Sequence, residues 1–118
     1  MPTMNIREAE LHGKMRALMQ EVETEMHHLH LWSGHPPSPD AMASVMPFMY
    51  DTLKPHEWLQ WVFIPRTRAL IDARGRLPGN CNIHALMEHH LAPRTDIDST
   101  RLLELVLAVD MLMNMPRA

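Results

Sequence analysis

Cysteine occurs once in this chain of 118 residues, at Cys81. No disulfide can therefore close within it, and a lone thiol fits a reducing, cytoplasmic setting. Glycine is nearly as scarce, with four residues, and no Gly-rich phosphate loop or His-Glu-x-x-His metalloprotease pattern occurs. No apolar run approaches the roughly 20 residues of a membrane span. The opening segment MPTMNIREAE has no apolar signal core, so neither membrane insertion nor export is expected. A basic excess is missing too, since the formal net charge is −3 with His neutral. Phosphate contacts supply most non-specific nucleic-acid affinity, so direct binding to RNA or DNA is not the expected main role. Nine histidines can shift that balance in mild acid.

What is present reads as helix punctuated by proline. With 46% hydrophobic and 21% charged residues, the composition is that of one globular domain burying roughly two-thirds of its unfolded surface. Leu11, Met15, Leu18, Val22, Met26 and Leu29 recur at spacings of three and four, predicting a helix from Ile6 to about Leu31. Asn5 and Glu8 resemble a capping box at its start. Pro36, Pro37 and Pro39 lack amide donors and force a loop over residues 33–40. A short helix before Pro47 is expected in residues 41–50. A second long helix should begin near Pro55, capped by Asp51 or Thr52, and run to about Arg74 with a kink at Pro65. A third should cover residues 82–91, and a last one should follow the cap candidates of residues 95–99 and run to about Asn114. That last helix is apolar nearly all round: Leu102, Leu105, Val106, Val109 and Met113 form one stripe, and Leu103, Leu107 and Met111 a second. Such a helix is either central to a bundle or shares a face with another chain. No strand periodicity competes, so the fold class is all-α, a single-domain bundle of four main helices.

Chemistry is harder to find. Residues 47–66, PFMYDTLKPHEWLQWVFIPR, hold two Trp, three Pro, Asp51, Glu57 and an Arg, with Asp72 just beyond. Trp58 and Trp61 at i and i+3 would share a helical face, either as core anchors around the kink or as a docking platform; burial is the expectation. Arg66, Arg68, Arg74 and Arg76 are opposed only by Asp72, and with Lys54 they are the one plausible anion or RNA footprint. A solvated helix end is the plainer reading. Glu25 and His28 have the spacing of a di-iron ligand pair, with His27 and His30 adding another, but no second Glu-x-x-His follows. Met111, Met113 and Met115 suggest thioether ligation of a soft metal but serve equally as core filler. Cys81 near a helix start, three residues before His84, is a conceivable reactive pair. No third member accompanies it. No catalytic, cofactor or metal site is expected on these signals.

Pro47 and Phe48, Asp51 and Thr52, Pro55, Glu57 through Val62, Ile64 through Arg66, Leu77 and Pro78, and Glu88 together resemble the YqcC-like family. These are small bacterial helical proteins without an assigned activity. The likeness is strong in residues 47–66 and weak at both ends, and Ala85, Leu86 and Met87 stand where the family has Pro-Tyr-Tyr. Members are commonly encoded beside a tRNA pseudouridine synthase, so the resemblance implies a protein partner in tRNA modification. The function read here is a non-enzymatic adaptor without cofactor. The alternatives are a metal-dependent bundle enzyme using His and Glu, or RNA contact through the arginines. The candidate partner-binding residues are Asp51, Lys54, Glu57, Trp58, Trp61 and Arg66, where mixed charge rims an aromatic centre. Leu103, Leu107 and Met111 are the candidates for self-association as a homodimer.

Overall fold

The computed structural model describes residues 6–116. Helix α1 (Ile6–His28) buries Leu11, Met15, Met19, Val22 and Met26 along one side, as the periodicity requires. Leu18 is only partly buried, and Met19 takes its place in the core. The helix ends three residues short of Leu31. His30 adopts a left-handed φ of 59°, its amide bonds His27, and the Leu31 amide reaches back to the Met26 carbonyl at 2.8 Å. This Schellman ending folds buried Leu31 onto the helix it terminates. The Asn5 half of the expected capping box lies outside the described residues. Glu8 is buried, and its carboxylate accepts from the Leu77 amide at 3.2 Å.

The proline-rich stretch forms a loop, then α2 (Pro39–Met42), whose N-cap Ser38 hydroxyl accepts from the Ala41 amide at 3.1 Å. A 3-10 turn follows at Pro47–Met49. Together these replace the single short helix expected over residues 41–50. The second main helix is built from three pieces: α3 (Pro55–Trp58), a π-helical turn (Leu59–Phe63) and α4 (Ile64–Asp72). The kink expected at Pro65 takes the form of that π turn, set immediately ahead of the proline. In a regular α-helix the Trp61 carbonyl would await an amide that Pro65 lacks, and would meet its ring. The wider turn, in which the Ile64 amide bonds Leu59, relieves both conflicts. α4 closes with a second Schellman ending: Arg74 is left-handed at φ 55°, and the Gly75 amide reaches Leu70 at 2.8 Å.

Helices α5 (Ile83–Leu91) and α6 (Thr100–Met113) complete the bundle. α6 packs against both α1 and α5, while α1 also meets α4 and α3 meets α5. Leu102, Leu105, Val106, Val109 and Met113 of α6 are buried in the main core. Its second stripe is not: Leu103 is partly buried, whereas Leu107 is 43% and Met111 65% exposed. Among the described residues the helix is therefore central on one side and unpartnered on the other. A small satellite core of Met49, Leu53 and Val62 lies beneath the 3-10 turn, and Trp58 packs against both clusters.

Candidate functional site

The candidate surface is organised by two strained residues. Phe48 and Met49 both sit in the left-handed region, at φ 54° and 50°. For non-glycine residues this costs about 1–2 kcal/mol each. The Met49 carbonyl accepts from the amides of Thr52 at 3.0 Å and Leu53 at 2.8 Å, and its side chain is buried in the satellite core. These contacts hold the turn and aim Phe48 edge-on at Trp58, with centroids 4.9 Å apart and planes at 81°. Trp58 leans on Phe63 from its other side, at 5.5 Å. Val45, Met46, Phe48 and Tyr50 all expose apolar surface beside this stack.

Trp58 and Trp61 are both half-buried, but they are not equivalent. Trp58 packs on both cores, while Trp61 lies outside them. The expectation that they share one face fails because the π turn takes more residues per revolution than an α-helix, so i and i+3 no longer align. The capping expectation is also corrected. Thr52 spends its hydroxyl on the Ala41 carbonyl at 2.7 Å, and Asp51 accepts from the Ser44 hydroxyl. Lys54 is the N-cap residue, and the Glu57 carboxylate accepts from its amide at 2.8 Å, since an ammonium has no lone pair to cap with. Glu57 thus has a structural duty, while Asp51, Lys54 and Arg66 stay exposed.

Two side-chain amides clamp loops onto this framework. Gln60, buried inside the π turn, donates to the Ser33 carbonyl at 2.6 Å and accepts from the Ser33 amide at 2.8 Å. Asn114 makes the same two-way pairing with the backbone of Cys81, both bonds at 2.7 Å. One turn earlier on α6, buried Asp110 accepts from the amides of Ile83 and His84, both at 2.8 Å, and so caps α5 from another helix. Next to the aromatic cluster, His56 of α3 and His90 of α5 stack with a ring nitrogen contact of 2.8 Å. Burial holds both below the usual histidine range.

The chemical candidates dissolve on this geometry. The α5 N-terminus does not activate Cys81, because Asp110 already occupies its amides; burial first, and then Asp110, push the thiol up to about 12. Arg68 is bound to Glu23 at 2.8 Å, and Asp72 pairs with Arg16 at 3.1 Å, so the arginine patch is partly spent on holding α4 to α1. Arg66, Arg74 and Arg76 remain exposed. Glu25 and His28 line a cleft of about 330 Å³ with His30, Asp96, Asp98 and Arg101. Among the described residues, no three His, Cys, Asp or Glu are placed to hold a metal. Met113 is fully buried while Met111 and Met115 face outward, so the three thioethers do not converge. No described helix is long and apolar enough to cross a membrane. Sequence reasoning missed Val45, Phe48 and Tyr50; a cluster of apolar residues in a proline-bounded loop was the available signal.

Known proteins share this architecture. The solution NMR structure of protein YqcC from Escherichia coli superposes with a TM-score of 0.80 at 30% identity, over 92% of each chain. By sequence, Escherichia coli YqcC is 37% identical over 81 residues, 69% of this chain and 74% of that protein. An uncharacterized protein of Haemophilus influenzae is 40% identical over 70 residues, 59% of this chain and 66% of that protein. A Pectobacterium carotovorum protein named tRNA pseudouridine synthase C is 42% identical over 66 residues, 56% of this chain but 18% of that protein. The DUF446 family, described as tRNA pseudouridine synthase C, matches residues 14–112. The chain belongs to the DUF446 family, the family of YqcC.

Proposed function

We propose that this chain is a non-enzymatic adaptor that docks on a tRNA pseudouridine synthase. The observation carrying the reading is the Pectobacterium match, in which a stretch like this chain makes up 18% of a protein bearing the synthase name. A segment that occurs inside one synthase chain is a natural partner for a synthase when it stands alone. Residues 48–66 carry the groups such docking needs. Phe48 and Tyr50 expose apolar surface beside Trp58, Trp61 is half-buried outside both cores, and exposed Asp51, Lys54 and Arg66 supply mixed charge that would orient a partner. A net charge of −3 favours approach to a basic RNA-handling enzyme over a direct grip on RNA.

The test is titration calorimetry between this chain and the tRNA pseudouridine synthase C of the same organism. Binding in the micromolar range or tighter is expected, weakened about tenfold or more by Trp61→Ala or Arg66→Glu. The circular dichroism melt of Arg66→Glu should stay close to the parent, and that of Trp61→Ala should fall by only several degrees, leaving the chain folded at the temperature of the titration. Charge reversal at Glu57 is a poor probe, since it also removes a helix-start bond. An absence of binding at high micromolar concentration would overturn the adaptor reading. Tight, steeply salt-dependent tRNA binding by the chain alone, lost on Arg74→Glu and Arg76→Glu, would replace it with direct RNA contact.

A further inference from the structure

Among the described residues the outer face of α1 and α6 is unpartnered, and its pattern of charge says what fits it. α6 runs antiparallel to α1: Lys14 and Leu18 flank a cleft with Ala108, Met111 and Met115, whereas Glu21 and Thr24 flank one with Arg101 and Leu105. Leu107 and Met111 stand exposed on α6 at 43% and 65%, and Met115, two residues past its end, at 52%. On a helical wheel, Glu104 heads the same stripe and Arg101 lies at its margin. The first of these clefts has a volume of about 340 Å³ and is walled mostly by side-chain carbon and methionine sulfur. Its rim carries Lys14, with Glu10 and Arg7 beside Met115.

We infer that two copies of this chain pair through α6 in antiparallel fashion about a two-fold axis between Ala108 and Met111. That axis sets Ala108 against Met111 of the partner subunit and Glu104 against Met115 of the partner subunit. Lys14 lines the same cleft as Met115, so Glu104 then faces Lys14 of the partner subunit. Because α1 of the partner runs parallel to α6 in this arrangement, Arg101 falls opposite Glu10 of the partner subunit. Three residues along one helix rise 4.5 Å and four along the other 6 Å, so both opposite-charge pairs form in one register. The two-fold repeats them, placing four complementary pairs around a methionine and leucine centre. Lys14 and Glu10 make no ion pair among the described residues, and Arg101 reaches Glu21 and Glu104 only at 3.8 and 3.9 Å on the exposed surface. These charges are thus available to a partner. A face whose charges complement their own two-fold image fits a second copy better than an unrelated protein.

Sedimentation across a roughly hundredfold concentration range tests this. The parent chain should move from monomer to dimer. Leu107→Glu should stay monomeric with an unchanged melting temperature, because the residue is exposed. Lys14→Glu and Glu104→Lys should each weaken association about tenfold, and the two combined should restore most of it. This rescue is what an apolar contact in any other register would not produce. A monomer throughout the range overturns the inference, as do single charge swaps without effect. Loss of synthase binding in Leu107→Glu, with the parent monomeric, would assign the face to a different partner.

Discussion

Two histidines stacked in ring-nitrogen contact, His56 and His90, respond to pH in a way that their residue types alone do not reveal. His56 is lowered mainly by burial and next by His90; Lys54 and Arg94 lower it further, while Glu57 pulls it up. For His90 burial again leads, followed by Lys54 and Arg94, with Glu57 opposing and His89 adding a smaller push down. Below the ordinary histidine value of about 6.5, the unfolded chain therefore binds more protons than the folded one. Stability contributed by this pair is complete above about pH 6.5 and is lost as pH falls through the lower folded values. Melting curves between about pH 7.5 and pH 5 should show a decline that flattens in a His56→Gln, His90→Gln variant. Equal slopes in parent and variant would disprove it. Single residues of another kind were invisible beforehand. The partners of Gln60, Asp110 and Asn114 are backbone groups 26 to 33 positions away, and no local pattern announces such a bond.

At the scale of the element, apolar spacing was enough to locate the long helices, because burying a stripe is what makes each of them stable. α1, α5 and α6 begin or end within a few residues of where periodicity and proline placed them. The second main helix was legible only as a helix with a fault near Pro65. Its π turn depends on what Gln60 finds at Ser33 as well as on the missing proline amide, and the first of these is a tertiary fact. The same turn decides which tryptophan is structural. Trp58→Ala should cost about 3–4 kcal/mol, since its ring closes both cores, whereas Trp61→Ala should cost about 1–2 kcal/mol. Urea denaturation of the two variants measures this directly. Equal losses would mean that both rings carry the fold, and would remove Trp61 from the docking surface. The charges of residues 51–66 and the apolar cluster of Val45, Phe48 and Tyr50 stand in the sequence, but the shape of that cluster does not, because a left-handed Phe48 is imposed by packing around Met49.

The whole molecule is held together by an interior unusually rich in thioether. Met15, Met19, Met26, Met87 and Met113 are each 0% exposed, and they interlock α1, α5 and α6. Unbranched side chains of this kind fill irregular space and tolerate small shifts between helices, which suits a bundle whose second helix is discontinuous. Met46, Met111 and Met115 lie instead in solvent, the first beside the aromatic hump, the second on the outer α6 stripe and the third just past its end. Peroxide converts an accessible thioether to a polar sulfoxide and spares a sealed one. Brief oxidation followed by peptide mass spectrometry should therefore modify Met46, Met111 and Met115 first. The five interior methionines should react only as fast as the bundle opens, so urea should accelerate them together. Independent, unequal rates among those five would argue against one cooperative core. The distribution of one side-chain type thus gives the protein a built-in chemical clock for its own opening. It also makes oxidants a wetting agent for the α6 stripe, because two sulfoxides there would replace an apolar seam with polar oxygen while the interior stayed reduced.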